Sequence, residues 1–178
     1  MTEPVRQSKH RISIHLAADA RDSTESDFFK LSEEQLAPLL LAAEALGAGS
    51  QTTELVRDAG GFSLVHVWWK PNFPLPRHSH NDDCLYYVIS GTALMGARTL
   101  RAGDSFLVAA NTAYQYTAGP EGVEVLEVRY GAERIDMTCY GDPESYAKKA
   151  ADALEANRET WDNAKVSPTF AANQAPQA

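Results

Sequence analysis

Arg77-His78-Ser79-His80-Asn81-Asp82-Asp83-Cys84-Leu85-Tyr86-Tyr87-Val88-Ile89-Ser90-Gly91 is the stretch on which the reading of this chain turns. In an extended strand alternate side chains share a face, so His78 and His80 offer two imidazoles to one interior. The same parity carries Cys84 and Tyr86 to that side once the strand resumes beyond Asn81-Asp82-Asp83. From Cys84 to Ile89 the run is dense in aromatic and β-branched residues, and Ser90-Gly91 reads as the turn that stops it. Downstream, Arg101-Ala102-Gly103-Asp104 precedes Ser105-Phe106-Leu107-Val108, and Ala118-Gly119-Pro120-Glu121-Gly122 precedes a last strand from Val123 to Tyr130. Short strands at regular spacing with glycine-rich turns predict an all-β barrel or jelly roll.

Upstream, Thr52 to Val56 and Phe62 to Trp69 read as two strands joined by Arg57-Asp58-Ala59-Gly60-Gly61. Strict alternation puts His66 and Trp68 on one face and Val65, Val67 and Trp69 on the other. Two roles are open to His66: a histidine held by a hydrogen bond, or a third metal ligand. Pro71, Pro74 and Pro76 stiffen the approach to His78. Further back, Ser32 and Gln35 have the spacing of a capping box, Leu36, Leu39, Leu40 and Ala43 form an apolar stripe, and Gly47 is a stop, which predicts a helix packed outside the barrel. The alternating patch Arg11 to Leu16 is a candidate strand for pairing between two copies, with His10 and His15 as surface residues. After the barrel, Asp142 and Pro143 open a helix that runs to about Trp161 with Tyr146, Ala150, Leu154 and Trp161 on one side.

The expected organisation is therefore a polar arm over 1–30, a barrel with its leading helix over 31–141, a C-terminal helix over 142–165 and a mobile tail over 166–178. With 178 residues and 44% hydrophobic content the chain can bury one substantial core. Its net charge of −8 argues against nucleic acid and anionic membranes as partners. A small-molecule substrate and a second copy, as a homodimer, fit better. Two cysteines and an N-terminus without an apolar run point to a reducing, cytoplasmic setting.

These residues resemble the cupins, whose first motif is Gly, five residues, His-x-His, three or four residues, Glu, six residues, Gly. His78, His80 and Gly91 match it, and Cys84 stands in the Glu place. In the second motif Gly103 matches, while Ala109, Asn111, Tyr114 and Ala118 stand where Pro, Gly, His and Asn belong. The resemblance covers Phe62 to Tyr130 and implies a cupin-like jelly-roll barrel, here with an N-terminal and a C-terminal helix. It implies a divalent transition metal held by His78, His80 and Cys84, with Fe foremost and Zn, Ni or Cu as alternatives, since imidazole and thiolate suit these ions.

Three roles are open to Cys84: a small buried hydrophobe, a metal ligand, or a redox group cross-linked to a tyrosine, as in the cysteine dioxygenases that carry Cys at this place. The spacing of His78, His80, Cys84 and Tyr86 is also similar to that of cupin lyases that cleave dimethylsulfoniopropionate, in which the tyrosine is a ligand or a base. The expected catalytic residues are thus Tyr86, Tyr114 and Cys84, although aromatic packing inside a small barrel is the favoured use of Tyr86 by itself. Trp68, Phe106 and Tyr116 would wall the substrate, and Arg98 or Arg129 would clamp a carboxylate. The expected function is a metal-dependent enzyme acting on a small organic substrate by oxygenase or lyase chemistry. Its rivals are a binding or sensor protein whose metal site has decayed and metal-free isomerisation by tyrosine.

Overall fold

The computed structural model describes residues 12–23, 31–57, 61–131 and 134–170. Nine strands and three helices follow one another among these residues. After a single 3-10 turn at Ala17–Asp19 come β1 (Arg21–Asp22), α1 (Glu33–Leu40), α2 (Ala43–Gly49), β2 (Ser50–Arg57) and β3 (Phe62–Trp69). Then follow β4 (His78–His80), β5 (Cys84–Met95), β6 (Arg98–Arg101), β7 (Ser105–Val108), β8 (Thr117–Tyr130), β9 (Met137–Cys139) and α3 (Pro143–Asn163). All pairings are antiparallel. One sheet has the order β1-β2-β3-β8-β5-β6 with β7 beside β5, and β4 and β9 form a second. Isolated bridges join Pro74 to Thr117 of β8 and His78 of β4 to Tyr114. The architecture is the predicted all-β jelly-roll barrel with helices at its flank.

Alternation fills the barrel. On β3, Ser63, Val65 and Val67 point inward, and on β8 Val123, Val125, Glu127 and Arg129 do so. Val65, Val67, Val88, Val125 and Tyr86 join the central core, which Phe73 and Trp161 extend to α3. Phe73 stacks on Trp69 at 5.0 Å and leans on Trp161 at 5.6 Å, so the C-terminal helix is anchored by an aromatic wedge. Asp142 caps α3 by accepting from the Ser145 amide at 2.9 Å, and Pro143 follows in the first turn.

Several elements differ from expectation. Gly91 does not end a strand: β5 continues to Met95, with irregular register around Val88–Ser90 and Gly91–Ala93. There Gly91 adopts φ 68° against β8, where a Cβ would strike the Gly122 carbonyl, so the glycine allows a bulge and a close backbone approach. The Ala118–Gly122 segment likewise lies within β8. The predicted N-terminal helix is two helices. Its capping box of Ser32 and Gln35 is present, but Pro38 inside α1 removes an amide donor and the chain turns at Leu41-Ala42 before α2 begins. The apolar stripe is accordingly divided: Ala42 and Ala45 are buried while Leu40 is exposed.

Ile12 to Leu16 form no strand within the chain, and Arg11 and His10 lie outside the described residues. The sheet edge next to β2 is taken instead by β1. Ile12 and Ile14 are 82% and 80% exposed, and His15 is at the surface. The tail is also ordered further than expected. Thr169 donates its amide to Glu124 Oε1 at 3.1 Å and its hydroxyl to Oε2 at 2.9 Å, and Phe170 meets the His66 ring edge-on at 4.9 Å. The rest of the segment expected to be a mobile tail, 171–178, lies outside the described residues.

This docking gives a testable pH dependence. Burial of Glu124 would raise its pKa, yet hydrogen bonds from His66, Ser90, Ser167 and Thr169 outweigh it and hold the carboxyl at about 2. A depressed carboxylate stabilises fully above its unfolded value, and that contribution is lost as pH falls from 4.5 toward about 2. Urea titrations across that window should show the wild type losing stability faster than Glu124→Gln.

Candidate functional site

The two histidines of the motif sit on a short strand whose flanks are pinned by side chains. β4 pairs with β9 in the register His78↔Cys139 and His80↔Met137, and His78 exchanges both backbone hydrogen bonds with Tyr114. The polar loop after it is not free. Asn81 donates to the Arg134 carbonyl and accepts from the Asp136 amide, and Asp83 accepts from the Ala110 amide at 2.8 Å. Parity then places both imidazoles inward, with ring centroids 4.9 Å apart.

His78, His80, Tyr114 and Glu127 form the polar floor of a cavity of about 190 Å³. Leu31, Leu39 and Leu46 close it from the helical side, with Val67, Trp69, Leu75 and Met137 around it. The leading helices thus cap the cavity instead of packing away from it. From the sequence Leu39 was read only as part of a stripe, and Leu46, Thr52 and Met137 were not singled out. Glu127 was missed altogether. Its signal was the inward parity of Val123, Val125, Glu127 and Arg129, in which two charged residues continue an apolar face.

Hydrogen bonds fix the polarity of the floor. His78 Nδ1 donates to the Pro76 carbonyl at 2.8 Å and His80 Nδ1 donates to the Asp136 carbonyl at 2.9 Å. A carbonyl only accepts, so in each neutral ring Nε2 is left as the acceptor. Tyr114 donates to His78 Nε2 at 2.9 Å. Its oxygen in turn accepts from the Tyr86 hydroxyl, which itself accepts from Arg129 Nη2 at 3.4 Å. Arg129 also holds Glu127 Oε2 at 2.7 Å, deep in the barrel.

Burial sets the protonation states. It draws His78 down to about 4, helped by the charge of His80, and lowers His80 as well, so both rings are neutral at pH 7. It raises the phenols of Tyr114 and Tyr86, with Glu127 adding to the effect, so both keep their protons. The Cys84 thiol is pushed up to about 12 by burial first and Glu127 second. Glu127 acts on His80 and Tyr114 more strongly than Arg129 does.

The expected site residues divide into three groups. His78, His80 and Tyr114 meet at the cavity. Tyr86, Phe106 and Tyr116 stand in the surrounding core: Phe106 stacks on Tyr86 at 4.5 Å and 3°, and Tyr116 accepts from Trp69 Nε1 at 2.9 Å. Cys84 is buried with Sγ 3.8 Å from the Leu85 carbonyl, and among the described residues no three His, Cys, Asp or Glu side chains gather as a metal cluster. The Asn81–Asp83 loop moves the chain from the β4–β9 sheet to the larger one, where Cys84 pairs with Val108 and its thiol lies within reach of Tyr86, Glu127 and Arg129.

Trp68 and Arg98 are not at the cavity. Trp68 shares the outer face of β3 with His66, under Lys70 at 5.5 Å, and Arg98 is exposed at the start of β6. His66 is no third ligand either: it is buried against Glu124 Oε1 at 3.1 Å on the outer face. The carboxylate clamp has no basis in Arg98, and Arg129 is already paired with Glu127.

No family model and no curated protein matches the chain. Solved structures similar to it include an RmlC-like cupin from Shewanella frigidimarina, with 22% identity over 49% of this chain and 81% of that one and a TM-score of 0.44. The polyketide cyclase RemF from Streptomyces resistomycificus gives 17% identity, 56% and 79% coverage and a TM-score of 0.46. The DMSP lyases RdDddP and RnDddQII give 19% identity, 52% and 53% coverage and a TM-score of 0.45. None of the described helices is long and apolar enough to cross a membrane. By its own strand order and paired sheets, the chain has the cupin-like barrel that its His-x-His and glycine motifs imply.

Proposed function

We propose that this protein is an enzyme of the lyase or isomerase type that moves a proton on a small organic substrate. The observation that supports it is the unbroken line of donors from Arg129 through Tyr86 and Tyr114 to His78, ending beside the neutral ring of His80 at the cavity floor. His80 Nε2 is placed to take a substrate proton. The imidazolium so formed returns the proton at a neighbouring atom of the substrate, with the Glu127 carboxylate favouring that charge, while the Tyr86–Tyr114–His78 line keeps its protons and fixes the floor. A cavity of about 190 Å³ limits the substrate to a few heavy atoms beyond its reacting group.

A second reading is favoured by the two Nδ1–carbonyl bonds, the arrangement that orients metal-ligating histidines. His78 and His80 would hold a divalent Fe, Zn, Ni or Cu ion through Nε2, with Tyr114 and Glu127 in the same floor. Such an ion would polarise a substrate oxygen when bound. Oxygenase chemistry would run only through it.

The test is deuterium uptake followed by NMR in heavy water over a panel of small carbonyl compounds and amines with activated C–H bonds, with and without chelator. Wild type should exchange, and His80→Gln should lose about 10²–10⁴ of the rate. Ligand binding without exchange by any member would instead establish a binding module. Exchange abolished by chelation and restored by one metal would assign the ion.

A further inference from the structure

The floor of the cavity offers lone pairs and hardly any protons. Both imidazoles spend their N–H on backbone carbonyls, Tyr114 spends its proton on His78, and Tyr86 spends its own on Tyr114. The indole N–H of Trp69, also in the lining, is given to Tyr116. What remains toward the cavity is His80 Nε2, the second lone pair of Tyr114 and the carboxylate of Glu127, of which only Oε2 is engaged by Arg129. Thr52 and Ser23, the other polar lining residues, carry hydroxyls that serve either way.

A ligand must supply what the wall lacks, because a buried acceptor left without a donor costs about 1–3 kcal/mol. We propose that the molecule bound here is a small organic ammonium, its N–H groups directed at His80, Glu127 and Tyr114 and its apolar body against Leu39, Leu46 and Met137. A carboxylate finds no cationic donor, since the guanidinium of Arg129 is not part of the lining, and it would face the Glu127 carboxylate. Trp69 adds an aromatic wall, which also suits a cation. This assignment names the substrate class of the proposed activity and rests on the same cavity, but not on the reaction.

Calorimetry on chelator-treated protein with n-butylammonium, butyrate and 1-butanol, matched in length and differing in the head group, tests it. The ammonium should bind at least about tenfold more tightly than butyrate. Leu46→Trp, which fills the apolar end without touching the floor, should abolish its binding while leaving the circular dichroism unchanged. Butyrate preferred over the ammonium, no binding of the ammonium, or uptake of zinc by a protein indifferent to it would each overturn the proposal. Ammonium binding without proton exchange would sink the enzymatic reading alone, and exchange on carboxylates without ammonium binding would sink the ligand class alone.

Discussion

Glu127→Gln is expected to lower the unfolding free energy by about 3–5 kcal/mol, because it strands a buried guanidinium. The Arg129 side chain is wholly buried, its one acidic partner among the described residues is Glu127 at 2.7 Å, and its Nε and Nη1 already lack partners. Its other neighbours are neutral: Tyr86 accepts at 3.4 Å and Ser63 lies directly across on β3, so neither replaces the lost negative charge. At roughly 2–4 °C per kcal/mol for a chain of this size, the melting temperature should fall by well over 5 °C. The double variant Glu127→Gln with Arg129→Met should recover much of that loss, since removing both charges removes the penalty. Calorimetric melting of the three proteins separates this from a mere loss of packing, for which the double variant would be worse than the single.

Trp161→Ala should cost about 3–5 kcal/mol for a different reason. Trp161 is fully buried, donates Nε1 to the Pro71 carbonyl at 2.9 Å, packs on Phe73 and offers its own carbonyl to Lys70 at 2.6 Å. It therefore joins α3 to the proline-rich approach that delivers His78. The substitution leaves a cavity the size of an indole where α2, α3 and the Lys70-to-Phe73 loop meet. Urea denaturation should show a lower midpoint. Hydrogen exchange should rise first in α3 and in residues 71–76, and uniform loosening of the barrel would contradict this view.

What the sequence disclosed and what it withheld follow from range. Strand parity needs only neighbouring residues, so the inward pointing of His78 and His80, the limits of β3 and the Asp142-Pro143 start of α3 were all legible. The face that parity selects is a matter of the whole barrel. His66 and Trp68 share a side as alternation requires, but that side is the outer one, covered at His66 by the Ser167–Phe170 segment, which lies far away in sequence. Gly91 read as a turn because glycine permits one. That it serves instead to let β5 pass the Gly122 backbone depends on a contact 31 positions distant. Glu127 was hidden for the same reason: a glutamate on an edge strand and a glutamate in a floor have one sequence signature, and Arg129 distinguishes them only in three dimensions.

The docked segment from Ser167 to Phe170 bears on how this protein is handled. Two of the donors that satisfy Glu124 come from Thr169 alone. An affinity handle or truncation placed at Ala164, a natural choice at the end of α3, would uncover an anionic, water-starved patch on the outside of the sheet. Joined beyond Phe170, the same handle would leave the barrel's outer wall sealed, so boundary choice at this end decides whether a recombinant preparation is sound.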